Sequence, residues 1–395
     1  MGFAVPMTAD EINGNMRSDN DPKGKRLIRR LCAYTEVSFC PALKSSCRSV
    51  LDGKRIPNEI LGLTYLSQIP SIRYNVSMTC LCTGILYADI ACFPINHVPT
   101  AGELVPTEKI ELNLGGCAAN VAVDLAQLGV DVTLSGCVGD DALSDFIVRS
   151  VSLPKIDSTR IQQSANRCPG TAMHINVQGQ DRRFICTTGA NDDYIFNDEL
   201  FQLIACPTLT GPKILYLGGF FMLRALETDR TVQFFKTARE LGWTTLLDVV
   251  LYGNRPYWDI LKPLLPHTDF FLPNDHEGET ITGKREPYEQ AKMFLDAGAG
   301  AAIITQGEAG TLFCSGREQF HTGVYPTDYV SGAGAGDAFD AGLIAALLEG
   351  CGHRDAVRWG SALGASCVRS VSTTGGVFSR KELLEFLDKH ELAVE

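Results

Sequence analysis

The chain has 395 residues, 45 % of them hydrophobic and 8 % aromatic, which is enough apolar side chain for a sizeable core and, on length alone, for about two to three domains. Its formal net charge of −11 argues against a broad nucleic-acid-binding face, and no apolar run approaches the ~20 residues of a membrane span. Fourteen cysteines with no C-x-x-C pair do not suggest a zinc cluster and read as free, buried thiols in a reducing cytoplasmic setting.

Residues 1–77 stand apart. They carry eleven Lys and Arg against seven Asp and Glu, with little apolar periodicity. They read as a poorly ordered N-terminal extension, with Met78 as an alternative start. From residue 78 to 395 the pattern is regular. An apolar stretch over 79–88 predicts a buried strand. A strand over 111–114 leads through Gly115-Gly116 into a helix over 118–128, which Gly129 ends. A strand over 132–136 and a helix over 141–150 follow. Residues 171–187 alternate like exposed strands around a turn at 178–181. Strands over 213–217, 244–250, 270–272 and 302–305 then take turns with helices over 229–241, 257–261 and 287–297. Helices over 338–349, 355–369 and 380–389 close the chain. This alternation predicts an α/β fold: a doubly wound, mostly parallel central sheet flanked by helices, with ligands at the carboxyl ends of its strands. The alternating 171–187 segment does not fit a sheet covered on both faces. It predicts a small separate β-sheet that serves as a lid.

The residues that carry chemistry centre on Gly334-Ala335-Gly336-Asp337, at the start of the 338–349 helix. Free N–H groups and the positive end of the helix dipole converge there on a carboxylate. Such a pairing suits phosphoryl transfer, because the amides stabilise charge on the moving group while the acid takes a proton from the attacking hydroxyl. The same four residues also read as a plain helix N-terminus. Asp89 at a strand end and Asn120 at a helix start have groups that can hold sugar hydroxyls; each also reads as a turn or cap residue. Gly115-Gly116 lets backbone approach a substrate closely. Asn274 and Glu277, three apart, form a capping box, a pair near Mg²⁺, or both. Two decoys are set aside. Residues 278–285 nearly spell a phosphate loop but end in Arg285 where a hydroxyl is needed, and Gly332-x-Gly334-x-x-Asp337 lacks the third glycine of a dinucleotide fingerprint.

In chain order over about residues 78–385, these motifs resemble those of the ribokinase-type, or phosphofructokinase-B (pfkB), carbohydrate kinases. The matching pieces are 83–89, 99–103, 115–122, 136–141, 189–191, 274–277, 305–310 and 330–342. The resemblance implies a ribokinase-like fold and an ATP-dependent sugar kinase that uses Mg²⁺. It implies Asp337 as general base and the Gly334, Ala335 and Gly336 amides as anion hole. It also implies Asp89, Gly115, Gly116 and Asn120 at the sugar, Thr305, Gly307, Gly310 and Ser361 at the nucleotide, and Asn274 and Glu277 at the metal. Lid segments would span about 90–113 and 170–188, and a homodimer through the lid would protect its free edges. A small sugar or nucleoside is then the partner, with neither nucleic acid nor membrane. Three departures qualify this picture. Ser331-Gly332-Ala333 replaces an Asp-Thr-Thr opening, which counts against a monovalent-cation requirement. Cys117 stands where ribokinases often carry Lys. Gly218-Gly219-Phe220-Phe221 replaces a stretch with a sugar-binding Glu and makes the pocket more apolar. The Phe pair supports a second reading, an adenosine- or inosine-type nucleoside kinase. The lost Asp-Thr-Thr supports a third, a catalytically silent sugar-binding regulatory protein.

Overall fold

The structure, a computed structural model, describes residues 80–178, 180 and 183–395; the expected extension 1–77 and the start at Met78 lie outside the described residues. The chain runs β1 (Cys80–Gly84), β2 (Tyr87–Ile95), β3 (Lys109–Gly115), α1 (Cys117–Gln127), β4 (Val132–Ser135), β5 (Cys137–Val138), α2 (Ala142–Val151), β6 (Ile156–Asp157), β7 (Gln162–Gln163), β8 (Gly170–Val177) and β9 (Arg183–Thr187). It continues through α3 (Asp198–Ile204), β10 (Ile214–Gly218), α4 (Asp229–Glu240), β11 (Thr244–Leu247), α5 (Tyr257–Leu261), β12 (Phe270–Phe271), α6 (Asp275–Thr282), α7 (Pro287–Asp296), β13 (Ala301–Thr305), β14 (Thr311–Ser315), β15 (Gln319–Thr322), α8 (Ala335–Leu348), α9 (His353–Cys367) and α10 (Arg380–Lys389).

The main sheet has the order β15-β14-β13-β12-β11-β10-β1-β4-β6. From β13 across to β6 every pair is parallel, and β14 and β15 add an antiparallel edge. Strand side chains alternate between two apolar layers, as the period of two requires. Cys80, Cys82, Tyr216 and Leu246 pack with α1, α8 and α9, while Leu81, Leu215, Leu217 and Leu247 pack with α4 and α7. Both faces are therefore covered by helices, as expected for a doubly wound sheet.

Strand order reverses between β1 and β10, and a crevice opens at their carboxyl ends. Gly84 and Gly218 are paired at that point. Gly84 has φ 140°, and a side chain there would collide with the Gly218 backbone. This corrects the single strand expected over 79–88. Gly84 ends β1, the chain turns out through Ile85-Leu86, and Tyr87 opens β2 in a second sheet of order β3-β2-β8-β9. The 171–187 segment supplies β8 and β9 of that sheet as an antiparallel pair, matching the small separate sheet expected. One face buries Asp89 and His174, while Ile110, Leu112, Met173 and Ile185 are exposed on the other.

The described cysteines are all free. Cys168 and Cys186 are exposed rather than buried, a departure from the sequence expectation, because Cys186 lies on the edge strand β9 and Cys168 in the loop that leads into β8. No described helix is long and apolar enough to cross a membrane.

Helices α8 and α9 touch backbone to backbone. A Cβ on Gly342 would lie 2.6 Å from the Trp359 carbonyl oxygen, and one on Gly360 would lie 2.8 Å from that of Phe339. Neither helix can yield without parting from the sheet. Gly342→Ala should therefore lower stability by ~1–3 kcal/mol, the cost typical of overpacking. A urea-unfolding midpoint unchanged in the variant would contradict this packing.

Candidate active site

The crevice at the switch point receives side chains from both sheets and from two helix N-termini. Helix α8 begins after Gly334, whose φ of 77° is left-handed. A side chain at Gly334 would strike the backbone of Thr373, so only glycine lets the chain turn so close to that loop. Asp337 falls in the first turn of α8. The helix starts three residues earlier than the sequence pattern suggests, because the Gly334 turn nucleates it before the apolar positions begin. The Ala335 N–H donates to the Gly332 carbonyl at 3.3 Å. A Cβ on Gly336 would meet nothing within 4 Å, so the first turn opens onto free space.

Helix α1 begins after Gly116, whose φ of 93° is again left-handed. Its first turn carries Cys117 and Asn120 to the same crevice. The Asn120 amide Nδ2 donates to Asp337 Oδ2 at 2.7 Å, and Thr373 Oγ1 donates to Asn120 Oδ1 at 3.0 Å. Asn120 is 2 % exposed, so both ends of its amide are committed inside the chain. The Cys117 thiol, Asp248 and Asp337 present donor atoms within 4.8 Å of one another. Asp248 Oδ2 also accepts from the Gly219 N–H at 3.0 Å.

Asp89 lies on the buried face of β2, 3.3 Å from His174 Nε2. Any side chain at Gly115 would occupy the space of the Asp89 carboxylate, and one at Gly116 would strike the Ile85 backbone. These two glycines thus make room for the acid and for the α1 turn. The Tyr87 hydroxyl is buried with no hydrogen-bond partner.

Asn274 and Glu277 form a capping box at α6: the Glu277 N–H donates to Asn274 Oδ1 at 2.8 Å, and the Asn274 N–H donates to Glu277 Oε2 at 2.9 Å. One further carboxylate oxygen of Glu277 is left over by the box. Asn274 bridges to Thr305 at the end of β13. The following turn uses Gly307 at φ 54° and Gly310 at φ 96°. Ser361 is half-buried on α9, whereas its neighbour Ala362 is wholly in the core.

The crevice gathers carboxylates, Asp340 buried and Asp248, Glu277 and Asp337 half-buried. Burial, and then the charge of Asp337, push Asp248 up to about 8. Burial also raises Asp337, with the Asn120 amide and the Cys117 thiol pulling the other way. Glu277 and Asp340 stand well above the usual carboxylate range, by burial and then by the charge of Asp248. Burial, with Asp337 and Asp248 beside it, pushes the Cys117 thiol up, so it stays protonated.

Most of the residues singled out in the sequence thus converge: Asp89, Gly115, Gly116, Asn120 and the 334–337 turn at the switch point, with Glu277 and Asp248 charge-coupled to it and Asn274 bonded to Glu277. Phe220 and Phe221 do not join them. They are 2 % and 0 % exposed and pack in the core, which corrects the expectation of an apolar pocket wall. Both rings lie in the short helical turn after β10, which is buried throughout. Sequence reading missed His174, Tyr87 and Thr373. Tyr87 and His174 lie in segments marked for other reasons and Thr373 in an unmarked loop, and only pairing across the fold brings each to the crevice.

The profile of the pfkB family carbohydrate kinases matches residues 78–379. The 2-dehydro-3-deoxygluconokinase of Bacillus subtilis is 26 % identical over 299 residues, covering 72 % of this chain and 90 % of that protein. The ribokinase of Haemophilus influenzae is 26 % identical over 293 residues, covering 73 % and 91 %. In three dimensions, the Arabidopsis thaliana ribokinase solved with ribose and ATP superposes with a TM-score of 0.67 at 23 % identity, covering 78 % of this chain and 98 % of that one. With the profile spanning most of its length, this chain belongs to the pfkB family of carbohydrate kinases.

Proposed function

We propose that this kinase moves the γ-phosphoryl group of ATP to a hydroxyl of a small, uncharged sugar. The observation that carries the reading is Asp337: a carboxylate in the first turn of α8, held by the Asn120 amide, close enough to feel Asp89, beside a helix N-terminus that opens onto free space. Asp337 accepts the hydroxyl proton of the substrate as that oxygen attacks phosphorus. The first-turn amides around Gly334, Ala335 and Gly336 face the charge that builds on the phosphoryl oxygens. Asp89 takes substrate hydroxyls, with His174 bracing its carboxylate.

Mg²⁺ fits the residues present. Hard carboxylate oxygens on Glu277 and Asp248, the second raising the proton affinity of the first, are a donor set that a divalent cation relieves. Glu277 and Asn274 would hold that ion, which supplies charge neutralisation for the nucleotide. Thr305, Gly307 and Gly310 lie along the edge reached from Asn274 and, with Ser361 on α9, suit the nucleotide. The β3-β2-β8-β9 sheet acts as the lid that excludes water, and its exposed apolar face suits pairing with a second copy. The sugar-acid and sugar-phosphate kinases among the relatives take anionic substrates. The main influences on the crevice acids include no Lys or Arg that could hold such an anionic group, which favours a neutral sugar here. Burial of Phe220 and Phe221 removes the feature that favoured a nucleoside.

Turnover is tested with a panel of neutral sugars, sugar acids, sugar phosphates and nucleosides under coupled ADP detection. A neutral sugar should give the highest kcat/KM, and turnover confined to nucleosides or anionic sugars would overturn the assignment. Asp337→Asn should lower kcat by about 10²–10⁴-fold if this acid is the base, and near-normal turnover would remove it from that role.

A second expectation concerns stability. The folded-state pKa of Asp248, about 8, lies above its unfolded value. The folded chain therefore keeps a proton that the unfolded chain releases, and stability falls as pH rises from about 4 towards 8. Thermal melts of the ligand-free protein should show this decline, and Asp248→Asn should flatten it. A slope unaffected by the substitution would place the titration elsewhere.

A further inference from the structure

We infer that Thr373 is a positioning residue, which orients the Asn120 amide so that Asp337 takes the substrate proton on Oδ1. This inference rests on the assignment of Asp337 as base. Thr373 sits in the loop between α9 and α10 and is 6 % exposed. Its hydroxyl has two acceptors in reach, Asn120 Oδ1 at 3.0 Å and the Leu114 carbonyl oxygen at 3.1 Å. The hydroxyl has one proton for these two oxygens; given to Asn120 Oδ1, it holds the amide with that oxygen towards itself, the orientation that the Asp337 carboxylate also favours on the other side. The amide nitrogen then has one direction left, towards Asp337 Oδ2 at 2.7 Å.

The opposite orientation would set an amide oxygen against a carboxylate oxygen, which repel unless Asp337 already carries a proton. With the amide fixed, Oδ2 is occupied by an N–H donor and is a poor place for an incoming proton. Oδ1 has no amide donor, and the Cys117 thiol that also bonds this carboxylate is only a weak one, so Oδ1 is the better place for the proton. During transfer, the substrate O–H bond breaks and its proton passes to Oδ1, while the new O–P bond forms and the P–O bond to departing ADP breaks. Thr373 touches neither substrate nor the reacting atoms.

The loop is built to hold this hydroxyl still. The Arg369 guanidinium donates through Nε to the Ser366 carbonyl at 3.0 Å and through Nη2 to the Gly376 carbonyl at 2.9 Å, closing the loop around Thr373. The Thr373 backbone also packs so closely on Gly334 that no side chain fits between them. One loop thus fixes both the turn that starts α8 and the amide that faces its acid.

The test compares Thr373→Val, which keeps the shape and removes the hydroxyl, with Thr373→Ser, which keeps the hydroxyl. In Thr373→Val, kcat on the best sugar should fall about tenfold or more with KM little changed. The acidic limb of kcat/KM should move to higher pH, because an amide free to flip no longer favours ionised Asp337. Thr373→Ser should restore both. Carboxyl ¹³C NMR of Asp337 reads the same upward shift without turnover, so it tests Thr373 even if no sugar is phosphorylated. That failure would strike the assigned function instead. A folded Thr373→Val protein with wild-type kcat and an unmoved Asp337 titration would overturn the inference, as would equal losses in the Val and Ser variants.

Discussion

The arrangement of the crevice depends on two helix N-termini being aimed at one point from opposite ends of the sequence. Asn120 and Asp337 lie 217 residues apart and meet in a hydrogen bond of 2.7 Å. That bond can form only if α1 and α8, each starting on a left-handed glycine, end their entry turns within reach of each other. Glycines make the approach possible throughout: Gly84 against Gly218 at the sheet end, Gly116 against Ile85, Gly334 against Thr373. The switch in strand order supplies the gap, and the glycines let backbone line it without filling it.

Aiming helix N-termini at a buried acid has an electrostatic consequence. The dipoles favour the ionised carboxylate, while burial and the neighbouring acids disfavour it. In the crevice the second effect wins, and Asp248, Asp337, Glu277 and Asp340 are all shifted upward. A raised value serves a base that must take a proton from an alcohol, because an ordinary carboxylate holds protons weakly. It also means that the resting site carries less negative charge than its residues suggest, which lowers the barrier to an incoming polyphosphate. Any cation bound beside these acids would be coupled to their ionisation.

Much of this was legible in the sequence, for identifiable reasons. Helices with strong caps declared themselves: α10, expected over 380–389, has those bounds, and Ser379 with Glu382 forms its capping box. Central strands with unbroken apolar runs were equally plain. The glycine-rich turns carried the site, because left-handed backbone leaves a compositional mark. Three things were hidden. The antiparallel edge, β14 and β15, has an apolar pattern too short to separate from a loop. The break at Gly84 lay inside an uninterrupted apolar run, where only the approach of Gly218 decides where the strand ends. Thr373 and His174 gain their place through partners 253 residues away in Asn120 and on a neighbouring strand respectively, and no local pattern encodes such a meeting. The Phe220-Phe221 pair misled for the same reason, since adjacency to a site in sequence does not say which way a ring turns.

Cys117 shows how one departure is felt by the rest of the crevice. A lysine at that position would set a positive charge among Asp248, Asp337 and Asp340, and would pull their proton affinities down. The thiol that stands there donates to the acids but adds no charge, and burial with two carboxylates beside it keeps it protonated. The remaining means of holding Asp337 ionised within the chain are then dipolar: the start of α8, the Asn120 amide and, more weakly, the Cys117 thiol. Dipoles act over a short range and only in the right orientation, whereas a charge acts from any angle. A site that relies on dipoles therefore needs its amide fixed more firmly than a site that holds a lysine. The buried Thr373–Asn120–Asp337 series, closed by the Arg369 clamp, meets that need.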